Sequence, residues 1–313
     1  MGNRFDLFLS RQLEKWQLAR VNYEALSEVE TKQFVVESFL YKVQFNPARR
    51  HSSTAKIDKK SIAERPCFLC KGNLPLEQDI IAEEDYLFLI NPFPIFERHL
   101  TIARNEHTQQ SIRTNFRKFI TFSEQMYDYS LLYNGPMCGA SAPDHMHFQA
   151  IDKETLPIVQ ESKERFDTEI ATYGGVSIYV DVKDLRHTIL LRGADRDELC
   201  TVFEKIYDLL PILPLETEPR MNLLAWTSQG EQFLALFPRA KHRPDCYSAE
   251  GEESMLISPG SVDMGGVFIA TRRSDFDKIQ AENIRQIIQE VSMDKALFMS
   301  IIESIKDCLT HKP

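Results

Sequence analysis

Six residues, His145-Met146-His147-Phe148-Gln149-Ala150, constrain this chain more than any other stretch of comparable length. In an extended strand successive side chains point to opposite faces, so a period of two sorts them into two sets. Met146, Phe148 and Ala150 form an apolar set suited to a core, whereas His145, His147 and Gln149 form a row of two imidazoles and an amide. The segment is therefore expected to be a strand with one face in a core and the other in a site. An imidazole of pKa about 6.5 is largely neutral at pH 7 and can act as a nucleophile without a strong base. A neighbouring amide can donate to a phosphoryl oxygen as negative charge builds there. The same row also suits metal ligands or polar residues satisfied within the fold, and the hexapeptide alone leaves these open.

Cys67-Phe68-Leu69-Cys70 has the spacing of half a tetrahedral zinc site, and zinc favours thiolate together with imidazole. With no second C-x2-C, completion falls to histidines, and His99, His107 and His145 are the candidates; two buried thiols at a turn is the competing reading. A redox pair of thioredoxin type is disfavoured, because no βαβ pattern follows. Six cysteines in 313 residues, without a signal-peptide apolar run at the start, read as reduced thiols of a cytoplasmic protein.

Composition excludes other classes. With 43% hydrophobic residues, 12 Gly and 15 Pro, the chain is neither collagen-like nor disordered, and it is long enough to bury a large core. A net charge of −9 argues against nucleic acid as a partner, while leaving room for a small anion site built from a few placed cations. No stretch approaches the roughly 18 apolar residues of a membrane span.

Along the chain, an apolar stripe through Phe8, Leu9, Leu13, Trp16, Leu18 and Ala19 predicts helix, continuing in short periodic pieces from Val21 to Phe39. Val43 to Arg65, with Arg49, Arg50, Lys56, Lys59 and Lys60, reads as an exposed arm or connector. Strands are expected at Tyr86–Ile90, His99–Ala103 and Ser130–Tyr133, with a helix from about Thr108 to Tyr129 between the last two. In the second half the pattern gives strands at 176–182, 188–191, 221–227, 232–237 and 266–271, and helices at 197–209, 274–290 and 293–309. Leu131–Gly135 with Phe148–Ala150 is echoed distantly by Leu223–Trp226 with Leu234–Leu236, which would make two halves of which only the first keeps its histidines.

The histidine strand resembles the H-x-H-x-Q signature of the transferase branch of the histidine-triad (HIT-like) superfamily. That branch holds galactose-1-phosphate uridylyltransferase, diadenosine tetraphosphate phosphorylase and the GDP-hexose phosphorylases. Gln44-Phe45-Asn46-Pro47-Ala48-Arg49, the segment from Leu132-Tyr133-Asn134-Gly135 to Ala150, and Gly265–Phe268 with Val291-Ser292 resemble stretches of the GDP-hexose phosphorylases. Cys67–Asn73 instead looks like the zinc-binding stretch of the uridylyltransferases. Met146 stands where those enzymes have proline, which disfavours uridylyl chemistry.

The resemblance implies an α+β fold of two HIT-like halves, residues 1–160 and 161–313, each an antiparallel sheet with packed helices. It implies a structural zinc on Cys67, Cys70, His107 and His145, with His147 as nucleophile and Gln149 as its phosphate-orienting partner. Asn46, Arg49, Asn91, Asn134 and Ser141 are the substrate-binding candidates; a turn Asn and a solvated arm are the competing readings of Asn91 and Arg49. Lys241-His242-Arg243 reads as a solvated loop. The implied activity is nucleotidyl transfer from a nucleoside-diphosphate sugar, GDP-hexose-like, to inorganic phosphate through a nucleotidyl-histidine. Dinucleoside-polyphosphate phosphorolysis, hexose-1-phosphate uridylyl transfer and a non-catalytic nucleotide-binding zinc protein are the alternatives. Nucleotide and phosphate are the expected partners, with a homodimer left open.

Overall fold

The computed structural model describes residues 4–50, 58–166, 168–181 and 183–310; Lys56 of the basic arm and the extreme start of the chain lie outside these. Thirteen strands are described: β1 Glu30–Val36, β2 Phe39–Phe45, β3 Ile81–Glu83, β4 Tyr86–Ile90, β5 His99–Arg104, β6 Tyr129–Asn134 and β7 His147–Asp152 in the first half. The second half contributes β8 Glu169–Tyr173, β9 Val176–Val180, β10 Ile189–Gly193, β11 Met221–Ser228, β12 Glu231–Pro238 and β13 Val267–Ala270.

Ten of them form one antiparallel sheet in the order β3-β4-β5-β7-β6-β11-β12-β10-β9-β8. Read inward from either edge, the order is the same: β3-β4-β5-β7-β6 from one side and β8-β9-β10-β12-β11 from the other. Helix Phe116–Gln125 joins β5 to β6 just as helix Arg196–Leu209 joins β10 to β11. The segments that echo one another in sequence thus occupy matching places in the sheet. The architecture is the expected α+β, with one difference. Instead of two separate sheets, β6 pairs with β11 from Ser130↔Trp226 to Asn134↔Asn222. Each inner strand covers the other's unpaired edge, which an isolated half would leave open to aggregation.

The sheet is sandwiched. On one face, helices Arg4–Lys15, Phe116–Gln125, Arg196–Leu209 and Lys295–Thr310 enclose a core that includes Phe88, Phe119, Leu131, Phe148 and Phe203. Each such fully buried aromatic contributes on the order of 2–3 kcal/mol of transfer free energy. On the other face a small sheet, β1-β2-β13, and helix Ala281–Val291 enclose Phe39, Leu132, Ile151, Trp226 and Phe268. β7 obeys the period of two: Phe148 and Ala150 enter the first core together with Met146.

Several sequence expectations need correction. Between Val21 and Phe39 the α-helix ends at Glu24 and a 3-10 turn follows over Ala25–Glu28; beyond it β1 and β2 form a hairpin turned by Glu37 and Ser38, both at positive φ (48° and 66°). The hairpin is fixed by a partner remote in sequence, because β2 also pairs in parallel with β13. The supposed exposed arm starts inside β2, where Val43 is fully buried, and contains a helical segment at Lys59–Glu64. The helix expected from Thr108 begins only at Phe116, because the preceding backbone is used elsewhere: Met146 N–H donates to Thr108 O (2.7 Å) and Gln110 N–H to Pro143 O (3.1 Å). The helix expected over 274–290 is two, Arg273–Lys278 and Ala281–Val291. Finally, β7 starts at His147, so His145 lies in the bend before the strand rather than within it.

Candidate active site

His145 and His147 are two residues apart and do different things. Cys67, Cys70, His107 and His145 each offer one donor atom, and the four atoms lie within 4.8 Å of one another. The Cys67–Cys70 turn is held by backbone donation from Cys70 to Cys67 O (3.2 Å) and by the Asn73 amide donating to the same oxygen (2.9 Å). His145 donates through Nε2 to Arg104 O (2.7 Å), which leaves Nδ1 facing Cys67 Sγ at 3.2 Å and Cys70 Sγ at 3.6 Å. His107 places Nδ1 3.2 Å from Cys70 Sγ, and its Nε2 lies 3.6 Å from the Asp144 carboxylate.

Bonds of about 2.3 Å to sulfur and 2.0 Å to nitrogen separate tetrahedral ligands by about 3.5–3.8 Å, so this set can close on one ion with small adjustments. Burial and the neighbouring Cys67 push the Cys70 thiol up to about 11, so a thiolate pair here calls for a cation between the sulfurs. His99, the third histidine candidate, is not in this cluster.

His147 faces the other way, into a cleft of about 650 Å³ that it lines together with Gln149, Thr101, Asn91, Arg49 and Ser141. The residue is only 4% exposed, and its ring Nδ1–H donates to the carbonyl of His145 (2.8 Å). That bond fixes the tautomer and leaves Nε2 carrying the ring's available lone pair. Burial pushes the pKa down to about 4, so the imidazole is neutral at pH 7.

Gln149 is oriented by His99. The His99 ring accepts the Ile95 N–H at Nδ1 (3.2 Å), so its proton sits on Nε2 and is donated to Gln149 Oε1 (2.7 Å). The Gln149 NH2 group is thereby left as the donor toward the cleft. Burial and the charge of Arg49 hold His99 neutral, its pKa down at about 3.

The remaining candidates divide. Arg49 donates to Phe93 O (2.6 Å) and lines the cleft; burial lowers its pKa to about 10, so it stays a cation. Arg49, Ser141 and Gln149 also border a second, smaller cavity, completed by His242, Arg243, Ser258 and Asn134. Lys241-His242-Arg243 is therefore not merely a solvated loop: its last two residues reach the polar end of the site from the second half. Asn91 is both a turn residue, accepting the Phe93 N–H (3.0 Å), and part of the cleft wall. Asn134 is locked by the second half, its Oδ1 accepting from Ser261 N (2.7 Å) and Asn222 Nδ2 (2.8 Å). Asn46 is buried with its amide donated to Pro94 O (3.1 Å) and does not line the cleft. The cleft is also lined by apolar side chains, including Trp16, Leu18, Phe68, Leu74 and Phe93, a surface suited to a planar base.

Sequence reasoning missed Gln110, which is fully buried against the backbone of His147, and the orienting role of His99. A glutamine in a loop carries no pattern. His99 stood out only as a further metal candidate.

Residues 172–312 match the family described as "GDPGP1-like, C-terminal domain", and residues 8–152 match a domain of unknown function, DUF4922. No curated protein sequence matches the chain. The fold is similar to that of yeast Ap4A phosphorylase Apa2 at 15% identity, with a TM-score of 0.56, over 88% of this chain and 94% of the yeast one. The AMP complex of the same enzyme gives a TM-score of 0.59 at 15% identity over 90% and 96%. Its Ap4A complex gives 0.56 at 16% identity over 88% and 96%. The C-terminal half of the chain thus resembles a GDPGP1-like domain, and the fold over most of the chain is like that of Ap4A phosphorylase. The ten-stranded sheet, with its two halves of matching strand order, is the architecture over which this likeness runs. Among the described residues no helix is long and apolar enough to cross a membrane.

Proposed function

We propose that this protein is a cytoplasmic phosphorylase that cleaves a nucleoside-diphosphate hexose, GDP-hexose-like, through a nucleotidyl-histidine on His147. The observation that carries the reading is the pairing of a neutral, single-tautomer His147 with an amide aimed by His99 at the same cleft.

His147 Nε2 attacks the α-phosphorus, a P–N bond forms, and the bridging P–O bond breaks with its electron pair leaving on hexose 1-phosphate. An oxygen of inorganic phosphate then attacks the same phosphorus, the P–N bond breaks, and nucleoside diphosphate departs. Splitting one displacement into two lowers each barrier. Gln149 Nε2 and Ser141 supply donors for the charge on the transferring phosphoryl group. Arg49 and Arg243, on the walls of the smaller cavity, supply cations for the phosphate that leaves or enters. The apolar lining of the cleft takes the base.

Cys67, Cys70, His107 and His145 would hold a zinc ion. Its contribution is structural, tying the Cys67–Cys70 turn to the residue two places before the nucleophile. In the cytoplasm these cysteines stay reduced.

Ap4A phosphorolysis is the second reading, favoured by the fold likeness to the yeast enzyme. Rates with GDP-, ADP- and UDP-hexoses and with dinucleoside polyphosphates, each with phosphate or hexose 1-phosphate as acceptor, separate the readings. GDP-hexose with phosphate is the expected best pair. UDP-hexose with hexose 1-phosphate as the best pair would contradict it.

A further inference from the structure

The ladder between β6 and β7 runs from Tyr129↔Asp152 to Leu132↔Gln149 and then stops. Continued two steps in the same register, it would set Asn134 opposite His147. Instead the side chain of Gln110 occupies that place. Its Oε1 accepts the His147 N–H (2.8 Å), and its Nε2 donates to His147 O (3.0 Å) and to Asn134 O (2.9 Å). One carboxamide thus replaces a peptide unit between two separated strands, and the residue is fully buried. On its other side His147 pairs with Ala103 of β5, so both edges of its backbone are held.

We infer that Gln110 is a positioning residue for the nucleophile, an inference that rests on the reading of His147 given above. The ring's tautomer is set by the His145 carbonyl, one peptide away from the backbone that Gln110 grips. Only a group with one acceptor and two donor hydrogens satisfies this place. A carboxylate offers acceptors to two carbonyls, and an apolar side chain leaves three backbone groups unpaired in the interior. The Gly139–Ser141 turn, which follows β6 beyond the end of the ladder, lines the smaller cavity together with Gln149.

Gln110→Met and the isosteric Gln110→Glu test this with two readouts. One is the imidazole 15N spectrum of His147, and the other is the kcat and KM of phosphorolysis, both measured on protein with its metal content confirmed. The expected result is loss of the single Nδ1–H tautomer and a fall in kcat of about 10²-fold with KM little changed, as for a misplaced reacting group. A structural role alone would lower thermal stability and leave the kcat of folded protein and the tautomer as they are, and that result overturns the inference. If Gln110→Met does not fold, Gln110→Glu carries the same two readouts. If wild-type protein forms no histidine adduct, the reading of His147 fails, while a wild-type tautomer retained in the variants would independently overturn the role of Gln110.

Discussion

His99 donates its Nε2 proton to Gln149 Oε1 at 2.7 Å, so a buried, neutral imidazole decides which end of the Gln149 amide faces the cleft. Replacing it tests this. His99→Phe keeps a ring but frees the amide to rotate. kcat is expected to fall about tenfold or more with KM little changed, and Gln149→Ala to fall further, toward the 10²–10³ typical of a lost oxyanion donor. Steady-state rates on both variants check the order; His99→Phe with unaltered kcat would remove the orienting role.

The metal cluster predicts one zinc ion per chain by elemental analysis of untreated protein. Cys67→Ser should lose most of it and melt earlier, because an ion held by these four residues would tie the Cys67–Cys70 turn to His107 and His145. The products formed by the remaining folded protein should be the same. Zinc-free protein with both thiols reduced would rule the site out.

Arg49 and Arg243 approach the smaller cavity from opposite halves of the chain. Arg49→Ala and Arg243→Met should each raise the KM for phosphate about tenfold, the cost of one charge-assisted contact, without preventing formation of the nucleotidyl-histidine. Initial rates across a phosphate series, beside a single-turnover measurement without phosphate, make the comparison.

A fourth expectation concerns stability. Glu218 is 2% exposed, accepts the Ile112 N–H (2.8 Å) and the Tyr133 hydroxyl, and burial pushes its pKa up to about 7. The folded state therefore binds this proton more tightly than the unfolded chain does. Stability from this group is present below the unfolded carboxylate pKa and is lost as pH rises toward 7, by on the order of 3 kcal/mol. Glu218→Gln should flatten the fall in melting temperature between pH 5 and pH 7 (about two units spanning the shift). An unchanged slope would contradict the assignment.

The legible parts of the site were those written in local pattern. Period two put Phe148 and Ala150 in the core and His147 with Gln149 on the site face, and C-x2-C spacing marked Cys67 and Cys70. Alternation could not show that the strand begins only at His147, because what bends His145 out of it is a bond from its ring to Arg104, forty-one residues earlier in sequence. The helical period extends over β1 in the sequence, because the strand that fixes the β1–β2 hairpin, β13, lies more than two hundred residues away. Arg243 read as solvated because nothing in its own segment indicates that the other half supplies the facing wall.

The central claim is that His147 carries the nucleotide. Wild-type protein incubated with GDP-hexose in the absence of phosphate, then digested and weighed, should yield one peptide containing His147 heavier by a single GMP group. The adduct should be acid-labile and should be discharged as GDP when phosphate is added. His147→Gly should show neither adduct nor turnover. Turnover undiminished in that variant, or an adduct on any other residue, would contradict the account.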